Sequence, residues 1–102
     1  MHLVNMSVRC HFRVVGKVQG VFFRKYTKLK ADSLSVSGWC RNEQDGISVS
    51  GELSGSPSAV DAMIRWLSTE GSPKSIIHTC DITDRAEVNE MSRRGRSFEI
   101  RT

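Results

Sequence analysis

Gly16-Lys17-Val18-Gln19-Gly20-Val21-Phe22-Phe23-Arg24 joins two stretches of different periodicity. Before it, Ser7 to Val15 alternates: Val8, Cys10, Phe12 and Val14 fall on one side, and Arg9, His11 and Arg13 on the other. Period two with a polar partner face predicts a half-buried strand. After it, Phe22 to about Leu34 predicts a helix. Its apolar stripe is Phe22, Tyr26 and Leu29, extended less regularly by Ala31 and Leu34, while Lys25, Lys28 and Lys30 form a solvated face. The nine residues are therefore a strand-to-helix turn. Its glycines let several N–H groups converge on one point, and the helix N-terminus behind adds partial positive charge. Arg24, in or near the first turn, offers a planar fork of donors. On physics alone, Gly16 to Phe23 with Arg24 make a cradle for phosphate or carboxylate. Most glycine-rich turns of this kind only connect two elements, so the rest of the chain has to decide.

Working outward, Val36 to Arg41 and Ile47 to Leu53 read as two strands joined through Asn42-Glu43-Gln44-Asp45-Gly46. Asp-Gly is a strong turn signal, so the pair is a hairpin with Asn42 at the end of its first arm. Ser56-Pro57 opens a second helix as N-cap and first helical residue. Val60, Met63, Ile64 and Leu67 give the cleanest helical stripe in the chain, with Trp66 beside it and partly buried. Gly71 closes this helix and Pro73 prevents its restart. Ile76, Cys80 and Ile82 suggest a fourth strand. Arg85 to Arg96 is polar and charged and reads as a loop with Arg93, Arg94 and Arg96 clustered, and Phe98 and Ile100 alternate in a last short strand. The order β-α-β-β-α-β predicts an α+β, ferredoxin-like sandwich. Two helices pack on one face of an antiparallel sheet, with a short extra strand at the C-terminus.

With 102 residues, the expected organisation is one domain over residues 1–102. A net charge of +4 and a pI near 9.3 suit small anions and also nucleic acid. The aromatic-basic strand signature of RNA-recognition modules does not appear, so nucleic acid is not the expected partner. Cys10, Cys40 and Cys80 are an odd number with no CxxC or Cys/His ligand spacing. Three buried, reduced thiols in a cytoplasmic protein are expected, with no metal and no cofactor. No segment approaches transmembrane length, and too few residues precede the first strand for a signal peptide, so no membrane association is expected. There is no GxxxxGK[ST] and no G-x-S-x-G, which excludes a P-loop and a nucleophile elbow.

The stretch from Gly16 to Arg24 resembles the first acylphosphatase signature, G-x-V-Q-G-V-x-F-R, at every fixed position. Gly38-Trp39-Cys40-Arg41-Asn42, followed by Gly46 and Gly51, resembles the second. Trp66-Leu67-Ser68, Gly71-Ser72-Pro73 and the Phe98 to Arg101 ending are also similar to family members, so the likeness covers nearly the whole chain. It departs in two places. Val49 comes three residues after Gly46 where the family has two, which implies a bulge or a longer turn. Ser35 stands where many members carry glycine. The resemblance implies hydrolysis of the carboxyl–phosphate bond of small acyl phosphates, without metal or covalent enzyme intermediate, by a protein expected to be a monomer. It implies that Arg24 and loop amides bind the phosphate, and that Asn42 holds the attacking water. The alternative is a non-catalytic anion-binding or RNA-binding domain of the same fold.

Overall fold

The computed structural model describes residues 6–89 and 96–102. The elements are β1 (Met6–Lys17), α1 (Phe23–Ser33), β2 (Ser37–Asn42), β3 (Ser48–Gly55), α2 (Pro57–Thr69), β4 (Ile76–Asn89) and β5 (Phe98–Arg101). They form the βαββαβ plan with an added final strand. The sheet order is β4-β1-β3-β2-β5. All neighbours are antiparallel except β2 and β5, which run parallel, so the sheet is mixed.

β1 occupies an inner position because it can be buried on one face along its length. Val8, Cys10, Phe12 and Val14 are buried and Arg9, His11 and Arg13 are exposed, as the alternation predicts. They meet Val49 and Leu53 of β3, Cys40 of β2, Phe98 of β5 and both helices in one core. Phe23 and Trp66 carry the helix-to-helix contact, with ring centroids 5.8 Å apart. Trp66 is 8% exposed, more deeply buried than its place beside the stripe suggested. Ser56 caps α2, its Oγ accepting from the Ala59 N–H at 3.2 Å with Pro57 at the first helical position.

Three expectations are corrected. α1 begins at Phe23, and its inward residues are Phe23, Thr27 and Ala31. Phe22, Tyr26 and Leu29 face outward, at 72%, 37% and 54% exposure. The true stripe is an i, i+4 series through a threonine, which apolar periodicity alone passes over. Thr27 tolerates burial because its hydroxyl donates to the Phe23 carbonyl at 2.7 Å.

Second, Arg85 to Asn89 is strand, not loop. β4 continues as the sheet edge, with Ala86 opposite Arg9, Glu87 opposite Val8 and Asn89 opposite Met6. An edge strand is held by its backbone ladder, and its largely exposed side chains leave no apolar alternation to read. Arg93 and Arg94 lie outside the described residues. Third, Cys10 and Cys40 are buried but Cys80 is only half-buried, since β4 flanks the core rather than crossing it.

Candidate active site

The turn after β1 places its residues through two glycines. A Cβ on Gly16 (φ +151) would sit 2.1 Å from the Ile76 carbonyl oxygen, so β1 and β4 approach closely only because Gly16 has none. Gly20 has φ +75 with open space around it, so backbone conformation rather than crowding selects glycine there. Phe22 also takes a left-handed conformation (φ 59, ψ 28) as N-cap of α1 and offers no side-chain cap. The helical ladder begins with Tyr26 N–H to Phe22 O at 3.1 Å. The N–H groups of Phe23, Arg24 and Lys25 therefore have no carbonyl within the helix and remain available to an anion at its end.

A cavity of about 390 Å³ lies at this helix end. Val18, Gly20, Phe22, Phe23, Arg24 and Asn42 of the expected site line it, together with Lys25 and Ile100. Arg24 is half-buried, and one guanidinium nitrogen donates to the Arg101 carbonyl at 3.3 Å. The guanidinium has five donors, so this bond leaves most of them for a ligand. Among the described residues, no carboxylate lies within ion-pair distance of Arg24. Asn42 ends β2 opposite Val49, 18 positions along the chain from Arg24, and reaches the cavity because β2 lies beside α1 and β5.

Four members of the expected phosphate loop do not line the cavity. Gly16 and Lys17 belong to β1, with Lys17 exposed and paired to Ile76. Val21 is buried in the core. The side chain of Gln19 turns away to the β2–β3 hairpin. Its Nε2 donates to the carbonyls of Glu43 at 2.8 Å and Ser48 at 2.9 Å. Ile100 carries no chemical signature, and only the pairing of β5 with β2 brings it to the site.

The β2–β3 pairing runs unbroken to Asn42 opposite Val49, with no bulge. Glu43 N–H donates to Ser48 O at 2.9 Å and closes the base of the hairpin. Asp45 fills its interior, its carboxylate accepting from Ile47 N–H (2.9 Å), Ser48 N–H (3.0 Å), Ser48 Oγ (2.7 Å) and Arg13 (2.8 Å). These donors, the Ile47 amide foremost, hold the Asp45 carboxyl down at about 2. The Glu43 carboxylate takes the Ser50 hydroxyl and lies 3.7 Å from Arg41. Beneath the site, the Cys40 thiol contacts the Arg24 carbonyl at 4.0 Å. Burial pushes this thiol up to about 12, against the opposing pull of the Arg24 charge, so it stays neutral.

Larger depressions exist. One of about 600 Å³ lies between the helices around Tyr26, Leu29 and Trp66, one of about 510 Å³ lies on the outer sheet face around Trp39, and one of about 420 Å³ lies beside the hairpin around Arg41, Asn42 and Glu43. None of the three holds the loop or Arg24, and only the last touches Asn42, so chemistry rather than size selects the smaller cavity. Among the described residues, no three His, Cys, Asp or Glu side chains gather as metal ligands. No described helix is long and apolar enough to cross a membrane.

The family model described as Acylphosphatase matches residues 10–100. The chain belongs to the acylphosphatase family. Acyl phosphate hydrolysis is the activity of that family, and this acylphosphatase is an enzyme of that class. It is 46% identical over 82 residues to Acylphosphatase-1 of Mus musculus, covering 80% of this chain and 76% of that one. It is 42% identical over 78 residues to Acylphosphatase-1 of Drosophila melanogaster, covering 76% of this chain and 64% of the other, so it spans just under two thirds of that relative. The crystal structure of acylphosphatase from Bacillus subtilis superposes with a TM-score of 0.80 at 28% identity, covering 93% of this acylphosphatase and 99% of that chain.

Proposed function

We propose that this acylphosphatase cleaves small acyl phosphates by direct attack of water on a phosphoryl group held at the end of α1. The observation that carries this reading is that Arg24, Asn42 and four residues of the turn, Val18, Gly20, Phe22 and Phe23, line one cavity. The phosphoryl oxygens meet the Arg24 guanidinium and the backbone N–H groups between Gln19 and Phe23. Asn42 is too weak a base to take a proton. Its amide orients the water, the carbonyl accepting from it and the NH2 donating to it. The water oxygen bonds to phosphorus, the bond from phosphorus to the acyl oxygen breaks, and the electron pair leaves with the carboxylate. The proton of the water passes to a phosphate oxygen. Because a carboxylate is a good leaving group, positioning and charge stabilisation are the main tasks left to the protein.

The test is hydrolysis of benzoyl phosphate with chelator present, in the parent protein, Arg24→Ala and Asn42→Ala. Arg24→Ala is expected to lower kcat/KM by about 10²–10³-fold and to weaken inhibition by inorganic phosphate. Asn42→Ala is expected to lower kcat by about 10²-fold while phosphate inhibits as before. Equal loss of phosphate affinity in both variants contradicts the division of roles. Parent activity abolished by chelator contradicts metal-free attack.

A further inference from the structure

We propose that Gln19 is a positioning residue for hydrolysis, and that it acts by clasping the phosphate-binding turn to the hairpin that carries Asn42. This inference rests on the role given to Asn42 above. Both donors of the Gln19 amide are used, one on each arm of the hairpin: Glu43 O at 2.8 Å and Ser48 O at 2.9 Å. Glu43 is the residue after Asn42, and Ser48 precedes the strand partner of Asn42, Val49. A third bond, from the end of β1 that leads into this turn, Gly16 N–H to Ile47 O at 2.9 Å, lands beside them. Two segments far apart in sequence are thus joined through carbonyls at positions 43, 47 and 48, next to the amide that orients water.

The arrangement explains why a polar residue with two donors sits in the turn yet does not line the cavity. Gln19 is half-buried, so a side chain that cannot donate leaves Ser48 O only the Glu43 N–H at 2.9 Å and Glu43 O only the long bond from Gly46 N–H at 3.4 Å. Catalysis by an oriented water is sensitive to small displacements, because its advantage is geometric. Loosening the clasp moves Asn42 relative to Arg24 without removing any group from the phosphate cradle.

The experiment pairs Gln19→Met, which keeps length and loses both donors, with Asn42→Ala in a double-mutant cycle on benzoyl phosphate. The expected result is a fall in kcat of about tenfold for Gln19→Met, with the inorganic phosphate inhibition constant within about twofold of the parent. In the Asn42→Ala background the same change is expected to cost less than about twofold, because its target is already gone. Unchanged kcat in Gln19→Met, an equal loss in both backgrounds, or a parallel loss of phosphate affinity overturns the proposal. Full turnover in Asn42→Ala removes the underlying reading instead, whereas loss there with none in Gln19→Met removes only the clasp. The parent protein supplies a check that needs no variant. The Gln19 side-chain amide protons should exchange with solvent far more slowly than those of the exposed Gln44, and equal exchange overturns the clasp.

Discussion

Replacing Ser35 by glycine should stabilise this acylphosphatase without touching its chemistry. Ser35 follows the C-cap of α1 with φ 57, while Ser35 N–H donates to Asp32 O at 3.2 Å and Val36 N–H to Ala31 O at 2.8 Å. This is a left-handed helix ending of the kind glycine usually fills. A Cβ in that conformation costs about 1–2 kcal/mol. Glycine returns about 0.5–1 kcal/mol of that through its greater freedom in the unfolded chain. At the middle of both ranges the net gain is about 0.75 kcal/mol, which in a domain of this size raises Tm by about 3–6 °C. The assay is thermal unfolding followed by circular dichroism, with Ser35→Ala alongside. Both variants remove the hydroxyl and whatever it contacts, and only glycine removes the Cβ. Because Ser35 and Phe22 flank opposite ends of α1, which is about 16 Å long by helix rise, kcat and KM should equal the parent values. An unchanged or lower Tm for Ser35→Gly, or an equal gain for Ser35→Ala, would refute the reasoning.

Two further outcomes follow from the hairpin and the thiols. The Asp45 carboxyl lies at about 2 in the folded protein against an ordinary 3.8, so its stabilising effect is fully present above the ordinary value and disappears as pH falls through about 2. The Tm difference between the parent and Asp45→Ala should therefore be flat from neutral pH down to about 5 and close as pH falls to about 2; a gap unchanged over that range refutes the assignment. Among the cysteines, burial raises all three thiols but only Cys80 is partly accessible, so iodoacetamide at mildly alkaline pH should label Cys80 first. Cys10 and Cys40 should react only after unfolding. Peptide mass spectrometry reads this directly, and labelling of Cys40 in folded, active protein would show that the pocket floor opens.

The sequence alone carried the element order and the hairpin. Alternation along β1, the Ser56-Pro57 helix start and the Asp-Gly turn are local signals, because each arises from the conformational preference of a few neighbouring residues. The Gly16–Arg24 turn could be read as an anion cradle for the same reason, whereas the left-handed backbone of Ser35, where many family members carry glycine, came from the structure. Pairing decided the rest. α1 turned inward through Phe23, Thr27 and Ala31 because burial of one helical face depends on what it packs against, and a threonine that satisfies its own hydroxyl is invisible to hydrophobic periodicity. β4 ran on to Asn89 because its backbone bonds to β1, whatever its side chains. Gln19 left the cradle for the hairpin, and Ile100 entered the cavity from a strand parallel to β2, because those contacts cross from one segment to another. Local preference chose the residue types of the turn and of the hairpin arm, and only the folded chain brought Arg24 and Asn42 to one cavity.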